Sequence, residues 1–509
     1  MTGTLGLLMQ GAATLFQLEV FFWLILGMIV GLIFGALPGF SSGNTAAIML
    51  PLTLGMSPTA AIIFIGGIYV GAQYGGGIPS ILIGTPGTAG AIATVFDGYE
   101  MAKQGKADQA LGLSLMASTS GTIIAGVIAI FIIQPIASIA LSFGPAEMAL
   151  LGVLGLMVIS SIIGKDLRKG LLTAMFGLLV SCMGADPSLG HSRLNFGFLE
   201  LYDGIPLTGV LLGMFAFPSV LNMISQGSIS ISDGQLAFGK KIMDGAKDCL
   251  LRPFLLIWSA LVGLFVGIIP GAGIDIGSFM AYSHAKMFSK HPETFGKGNP
   301  EGVMAPEAAN NGVSVGALVP AMCLGIPGGT TTAVMLAALT LHGVVIGPQI
   351  VQHHTGMVYA LMLSALVCGI LTFPMGYAFN KVAVKITNIN VTFIIPAVFV
   401  LCIVGSYAGR KFAFDMFLCL IAGIIGLIIR KNAYPLPPFI LAFILGPIIE
   451  QNFIRAIRIS NGNLNTFIRS PITKVMWIII ILTLFLPILI RFLTYLKESH
   501  SKNKQTKTQ

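Results

Sequence analysis

Apolar segments long enough to cross a lipid bilayer recur along nearly the whole chain. A membrane span needs about 20 apolar residues. The candidate spans are 16–36, 110–138, 146–163, 170–183, 207–225, 253–270, 357–379, 393–408, 412–429, 435–450 and 475–496. Only 9% of the 509 residues are charged, whereas soluble domains have roughly 25%. We therefore predict an all-α polytopic integral membrane protein with roughly 10–14 transmembrane or re-entrant helices.

One pattern of glycine and proline occurs twice. Residues 71–87, GAQYGGGIPSILIGTPG, align without gaps to residues 312–328, GVSVGALVPAMCLGIPG. The matched pairs are Gly71/Gly312, Gly75/Gly316, Pro79/Pro320, Gly84/Gly325, Pro86/Pro327 and Gly87/Gly328. A shorter fragment precedes each copy, GALPG at 35–39 and GIIPG at 267–271. Proline and glycine interrupt helices, so we predict two internal repeats, inverted in the membrane, whose broken helices line a binding site.

These motifs divide the chain into four parts. We expect residues 1–225 to form the first half, with Pro-Gly tips near 38 and 86. Residues 226–355 hold the second copies, with tips near 270 and 327. Residues 356–496 are predicted to be C-terminal transmembrane helices that serve as scaffold or dimerisation surface, and residues 497–509 a basic cytoplasmic tail.

Hydroxyl and amide groups cluster at the predicted tips. The N-terminus of a half-helix presents free backbone N–H groups and a positive dipole, which favour anions. We expect the tip at Thr85–Thr88 to face the matched tip at Thr330–Thr331, and two facing tips of this composition suit a small anion with several carboxylates. The predicted substrate-binding residues are Ser41, Ser42, Asn44, Thr45, Thr85, Pro86, Gly87, Thr88, Pro327, Gly328, Gly329, Thr330 and Thr331.

Acidic and amide side chains enter the apolar sequence of the second half. Glu307, Asn310 and Asn311 share one helical face at i, i+3, i+4 spacing, and Asp275 follows the GIIPG fragment. Such groups are costly inside a membrane unless they are used. We predict these four as ligands of a coupling ion, sodium or a proton, and we expect no other cofactor or metal. The alternative for Glu307 is the first turn of a helix that begins at Pro306.

Three alternatives compete with these predictions. Close helix packing accounts for any single glycine, although six matched positions favour the broken helices. Gly39, Ser41 and Gly43 form a G-x-S-x-G pattern, which would make Ser41 the nucleophile of an intramembrane serine hydrolase. The sequence offers no convincing histidine partner, so we do not expect an enzyme. A passive organic-anion channel is the remaining alternative within membranes.

Two further segments are interpreted as lacking a nucleotide-binding loop or a charged functional site. The sequence GIPGGTTT at 325–332 lacks the lysine of a nucleotide-binding loop, which excludes an ATPase. Mixed charges near residue 100 predict a solvated connector. Its residues are Asp97, Glu100, Lys103, Lys106 and Asp108.

Four segments together resemble the large membrane (permease) subunit of the tripartite tricarboxylate transporters, the TctA family. They are GALPGFSSGNTAAIMLPLT, GGIPSILIGTPGT, FGKGNPEGVMAPEAANNGVSVGALVPAMCLGIPGG and AYPLPPFILAFILGPIIEQNFIRA. The similarity runs in consistent order from about residue 16 to 475. One departure is Asn311-Gly312, where the family pattern leads us to expect Asn-Asn-Ala.

The resemblance implies uptake of citrate-like tricarboxylates or related organic acids across the bacterial inner membrane. It also implies symport driven by an ion gradient, an elevator-like alternating access, a periplasmic solute-binding protein and a small membrane subunit as partners. A homodimer is a further expectation. No nucleic acid is expected as a partner, because the basic residues lie in short loops between spans.

Overall fold

The computed structural model describes residues 4–163, 167–186, 190–218, 221, 241–269, 274–387 and 391–483. About 80% of these residues are helical, which confirms the predicted all-α membrane class. The only strands among them are β1 (Gly184–Ala185) and β2 (Ser192–Arg193), an antiparallel pair.

The first half is helical along most of its described length. Its helices are α1 (Thr4–Leu15), α2 (Leu18–Gly35), α3 (Ser42–Thr53), α4 (Pro58–Leu82), α5 (Ile92–Lys103), α6 (Ala107–Ala140), α7 (Pro145–Ile163), α8 (Leu167–Ser181) and α9 (Leu207–Leu211). A π-helical turn at Leu212–Ala216 continues α9, and short 3₁₀ turns lie at Ala89–Ala91, Leu199–Leu201 and Pro292–Thr294.

The described residues after the first half are helical as well. Their helices are α10 (Lys241–Leu250), α11 (Pro253–Ile268), α12 (Ile274–Phe288), α13 (Pro300–Gly316), α14 (Leu318–Leu324), α15 (Thr330–Leu341), α16 (Ile350–His353), α17 (Thr355–Thr387), α18 (Val391–Arg410), α19 (Phe414–Lys431), α20 (Leu436–Ile459), α21 (Thr466–Arg469) and α22 (Pro471–Thr483).

Five described helices are long and apolar enough to cross a membrane, and the count is six if α10 and α11, bent by 80°, form one span. These five are α2, α4, α6, α20 and the part of α17 at Thr355–Ala383. Six shorter apolar helices accompany them. The chain is therefore a multi-pass membrane protein, while the total of 10–14 spans stays a prediction.

Glycines allow the helices of each repeat to pack with their backbones in contact. A methyl group on Gly71 of α4 would lie 2.5 Å from the carbonyl oxygen of Met28 in α2. The matched Gly312 of α13 would bring a methyl group 2.7 Å from the carbonyl oxygen of Ala260 in α11. Met28 and Ala260 hold the same place relative to the GALPG and GIIPG fragments. The two helix pairs α2–α4 and α11–α13 thus pack in the same register.

The same register holds elsewhere in the two pairs. Gly75 packs against the backbone of Leu32, and the matched Gly316 packs against the backbone of Leu264. In the same way, Gly35 contacts Ala72 and Gly267 contacts Val313. Finally, Gly87 contacts Gly35, and its match Gly328 contacts Gly267. These contacts correct the interpretation of the matched glycines as helix breaks. Four of them, Gly71, Gly75, Gly312 and Gly316, lie inside helices and serve close packing.

The chain leaves regular helix at the ends of both matched motifs, and in the second copy α13 also gives way to α14 at Ala317. Gly84 and Gly325 adopt left-handed backbone angles, with φ of 69° and 70°, which glycine accepts without strain. After these residues come the loops that hold Pro86 and Pro327, and the chain re-enters a helix at α5 and α15. The tips predicted near 38, 86 and 327 are therefore present as loops. Residues 270–273, which include the fourth tip, lie outside the described residues, as do residues 497–509.

Candidate functional site

Two helix N-termini meet inside the protein. α3 begins at Ser42, immediately after the loop at 36–41, and α15 begins at Thr330, immediately after the loop at 325–329. The hydroxyl oxygens of Ser42 and Thr331 lie 2.9 Å apart, and both side chains are buried. A methyl group on Gly43 would lie 2.7 Å from Cβ of Thr330, so only glycine permits this approach. We call this place the tip crossing.

Amide side chains of α4 and α13 lie next to the tip crossing. The Nε2 group of Gln73 in α4 donates to the Ser42 hydroxyl at 3.3 Å. The Nδ2 group of Asn310 in α13 donates to the backbone carbonyl of Gln73, also at 3.3 Å. The side-chain oxygens of Gln73 and Asn310 are buried and have no partner among the described residues. Buried polar atoms are normally hydrogen-bonded, so these two acceptor oxygens are available to a cation or to a hydrogen-bond donor of a ligand.

The tip crossing joins the first tip of one repeat to the second tip of the other. We expected hydroxyls at the matched tips, Thr85–Thr88 and Thr330–Thr331, to face each other. Instead α15 packs on α3, and α12 packs on Ala89–Ala91 and α5. Among the described tips, those at 36–41 and 325–329 therefore meet each other. Within the described residues, no hydrogen bond links Thr85 or Thr88 to Ser42 or Thr331.

Two further predicted substrate residues, Ser41 and Thr45, form hydrogen bonds within the start of α3. Ser41 caps α3, because its Oγ accepts from the amide of Asn44 at 3.2 Å. The Thr45 hydroxyl donates back to the Ser41 carbonyl at 3.1 Å, a bond within its own helix. The loop before Ser41 joins two helices, whereas a nucleophile elbow needs a strand before its turn. The local fold therefore gives Ser41 a capping role.

The other predicted tip residues lie in the loops that follow Gly84 and Gly325, where most of them contact neighbouring main-chain atoms. The amide of Gly87 donates to the Gly76 carbonyl at 3.1 Å, and the amide of Gly329 donates to the Thr332 hydroxyl at 3.0 Å. Gly328 packs on Ala317, with a hypothetical methyl group 2.7 Å from its Cβ. The Thr88 hydroxyl is buried beside Gly76 and has no partner among the described residues. Thr85, Pro86 and Pro327 complete the two loops.

The predicted ion ligands separate into two places. Asn310 reaches the tip crossing, whereas Glu307 and Asn311 face the first half of the chain. Asn311 donates to the Thr122 hydroxyl at 2.9 Å and keeps a buried oxygen without a described partner. The alternative of a helix start at Pro306 is wrong, since α13 begins at Pro300 and Glu307 lies in its second turn. The side chain of Asp275 lies outside the described residues.

Glu307 is buried and sits between elements of the first half. The Thr94 hydroxyl of α5 donates to one carboxylate oxygen at 2.6 Å, and the Ser118 hydroxyl of α6 donates to the other at 3.0 Å. Neither Thr94 nor Ser118 was identified from the sequence. In the sequence they stand out only as small hydroxyl residues of α5 and α6, and such residues are common in membrane helices.

Asp97 corrects a second interpretation from sequence. The residue was expected in a solvated connector, yet it is fully buried. One oxygen accepts from the amides of Gly296, Gly298 and Asn299 at 2.7–2.9 Å. The other accepts from the Tyr282 hydroxyl at 2.9 Å. Asp97 therefore fastens the loop before α13 to α5, while Glu100 and Lys103 form the exposed ion pair that a connector predicts.

A cavity of about 1120 Å³ adjoins the tip at 325–329. Its wall includes Ile346 and Gly347, which pack against Gly325 at the start of that tip. Arg193 and Arg455 also line it, and Arg193 forms an ion pair with Glu450. The cavity is thus lined both by basic side chains and by residues that pack against Gly325.

Broken helices whose N-termini meet in the interior of a polytopic membrane protein define a transporter-like site. Residues 21–441 match the Tripartite tricarboxylate transporter TctA family. The chain belongs to this family and is a membrane component of a tripartite system with other subunits. The resemblance inferred from the sequence is confirmed.

Two curated relatives come from Agrobacterium vitis. The uncharacterized 52.8 kDa protein in the TAR-I ttuC' 3' region is 34% identical over 454 residues, which cover 88% of this chain and 89% of that protein. The uncharacterized protein in the TAR-II ttuC' 3' region is 30% identical over 210 residues, 41% of this chain and 87% of the relative. No solved structure matches the chain.

Proposed function

We propose that the chain is the permease subunit of a secondary active importer of citrate-like tricarboxylates or related organic carboxylates. It works in the bacterial inner membrane with a periplasmic solute-binding protein and a small membrane subunit. Uptake is driven by an ion gradient through elevator-like alternating access. Family membership supports the class of protein, and the tip crossing supports the chemistry.

The tip crossing is the observation that carries this proposal. Two helix N-termini direct their free amides and positive dipole ends to one buried place. Ser42 and Thr331 add hydroxyl groups, which the Gln73 amide nitrogen supports by donating to Ser42. Backbone and side-chain donors of this kind bind a carboxylate without a fixed positive charge. Such a site can also release its ligand, as transport requires.

Coupling ions belong to the same proposal. Sodium prefers oxygen ligands, which Asn310 and Asn311 offer through their unpartnered carbonyl oxygens. A proton would need a titratable group, and Glu307 and Asp275 are the candidates from the sequence. An importer with either ion concentrates its substrate, whereas the alternative, a passive organic-anion channel, only equilibrates it.

Uptake by the complete system tests the proposal. Proteoliposomes that contain the permease and its two partner subunits would receive labelled citrate and a set of other labelled di- and tricarboxylates. We expect one or more of these compounds to accumulate above its external concentration. Collapse of the sodium and proton gradients together should abolish that accumulation. Uptake that stops at equal concentrations would favour the channel, and no uptake of any carboxylate would contradict the proposed function.

A binding screen addresses the substrate directly. The solute-binding protein selects its ligand before the permease does, so its thermal stabilisation by each organic acid reports the compound delivered. We expect carboxylates to stabilise it and neutral analogues such as amides to have no effect. Stabilisation by a ligand without a carboxylate would contradict the proposed substrate class.

A further inference from the structure

The carboxyl group of Glu307 occupies a fitted pocket built across the two halves of the chain. Thr94 and Ser118 donate to its oxygens at 2.6 and 3.0 Å. On the α4 side stands Gly77, where a methyl group would lie 2.7 and 2.9 Å from the same oxygens. Only a residue without a side chain leaves this space for the carboxyl. We call Gly77, Thr94, Ser114 and Ser118 the Glu307 cradle.

The negative charge of an ionised Glu307 would have no cationic partner among the described residues. Its contacts there are hydroxyls, and the described ion pairs involve other acids. An isolated carboxylate in a membrane interior is costly. The group must therefore bind a proton or a cation for part of its time in the membrane.

The titratable groups on the surrounding elements are engaged elsewhere. On α5, Asp97 accepts three backbone amides and the Tyr282 hydroxyl of α12. On α4, the Tyr74 hydroxyl donates to Asn380 at 2.9 Å. Just before α11, the Nε atom of Arg252 lies 3.7 Å from a carboxylate oxygen of Glu301 in the first turn of α13.

The more distant groups have other partners or lie near the ends of their helices. His284 of α12 accepts from the indole of Trp258 at 3.3 Å, and Lys286 lies in the last turn of the same helix. On α6, Gln109 bonds Asp248 of α10, and Asp108 lies in the first turn, well before Ser114. The hydrogen bonds of Glu307 within the described structure go to hydroxyls of α5 and α6 instead.

The cradle suits a proton better than a metal cation. A sodium ion takes several oxygen ligands and needs space between them, but Gly77 and the two donor hydroxyls already pack against the carboxyl oxygens. A proton needs only an acceptor for the O–H group. Ser114 lies beside Glu307, one turn before Ser118, and its buried hydroxyl has no other described partner.

We propose that Glu307 is the proton-binding group that couples substrate uptake to the proton gradient. The proton enters from water, is held on the Glu307 carboxyl with Ser114 or Ser118 as acceptor, and returns to water on the other side. Asn310 follows Glu307 by one helical turn and reaches the tip crossing, so α13 carries both sites. This inference rests on the proposed function, since it identifies the coupling ion of that transport cycle.

Replacement of Glu307 by glutamine separates coupling from substrate binding. The variant Glu307→Gln keeps the shape and the acceptor for Thr94 but cannot exchange a proton. In sodium-free proteoliposomes of the complete system, a gradient of about one pH unit should give about ten-fold accumulation if one proton accompanies each substrate. We expect the variant to lose this accumulation yet to keep exchange of labelled for unlabelled carboxylate. The matched control, Glu301→Gln on the same helix, should retain both.

Different outcomes overturn different claims. Accumulation by Glu307→Gln equal to that of the unaltered protein would overturn the inference, as would accumulation that follows a sodium gradient and ignores the pH gradient. If the unaltered system neither accumulates nor exchanges any carboxylate, the proposed function itself fails.

A second measurement needs no variant and therefore does not depend on whether Glu307→Gln folds. Proteoliposomes that enclose a pH indicator should acidify inside when the transported carboxylate is added outside in sodium-free buffer. Uptake of labelled substrate without acidification would overturn the inference.

Discussion

The two repeats pack their helices alike and differ in the polar side chains that they carry. Gly71 and Gly312 make equivalent contacts, and so do Gly75 and Gly316. Yet Glu307 and Asn310 of the second copy correspond to Gly66 and Tyr69 of the first. A methyl group on Gly66 would have Leu361 as its nearest neighbour, at 3.1 Å, whereas Glu307 accepts hydrogen bonds from two hydroxyls.

This difference separates the role of the matched glycines from that of the unmatched polar residues. The symmetric glycines pack the helix pairs, and under the proposed function the unmatched polar residues supply the chemistry of the second half. The tip crossing then uses both halves, because α3 comes from the first and α15 from the second. Inversion of the repeats stays a prediction, as does the division into four parts.

The largest effect should come from a methyl group at the symmetric glycines. Gly71→Ala and Gly312→Ala each place a carbon 2.5–2.7 Å from a backbone carbonyl oxygen, which forces the helices apart. We expect each to destabilise the protein by about 1–3 kcal/mol and to reduce the folded amount in membranes. Gly66→Ala is the control, because the nearest atom there is the movable end of Leu361 at 3.1 Å. Normal thermal stability of Gly71→Ala or Gly312→Ala would argue against equivalent packing.

A smaller loss of stability should follow Asp97→Asn. Asparagine retains one acceptor oxygen but gives up the charge that strengthens the bonds from three backbone amides. We expect a loss of about 2 kcal/mol in thermal unfolding. Glu100→Gln on the same helix removes an exposed ion pair with Lys103 and should change stability by less than about 1 kcal/mol. Equal effects of the two substitutions would show that the Asp97 contacts contribute little.

The smallest effect on transport should come from Thr88→Val. Thr88 lies beside Gly76, in the loop that follows α4, and its hydroxyl makes no hydrogen bond to the described residues of the tip crossing. Valine keeps the shape, so we expect the KM for the transported carboxylate to stay within about three-fold, less than the loss of one hydrogen bond. A larger rise would place substrate at the loop that holds Thr85–Thr88 as well.

The membrane class, the family and the location of three tips could be predicted from the sequence. They could be predicted because apolar length and the order of Gly and Pro are local properties. The roles of individual glycines were less accessible, since Gly71 inside a helix and Gly84 at a break look alike in sequence. Nor does any local pattern indicate that the loop at 296–299 returns to Asp97 and buries it.

The pairing of the tips depends on contacts far apart in the chain. Thr331 meets Ser42 across 289 residues, and Glu307 meets Thr94 across 213. Matched motifs led us to expect matched tips to face each other, whereas the packing of α15 on α3 crosses them. A local pattern identifies a broken helix but does not specify its partner.

The central claim is that a carboxylate binds at the tip crossing, and the KM of a double variant tests it most directly. Ser42→Ala with Thr331→Val removes both hydroxyls and leaves the helix N-termini in place. The control Thr53→Val removes a buried hydroxyl at the other end of α3 that bonds only within its helix. We expect the double variant to raise the KM for the transported carboxylate at least about ten-fold at an unchanged amount of folded protein, the effect of one or two lost hydrogen bonds. A KM equal to that of the unaltered protein and of the control would contradict the claim.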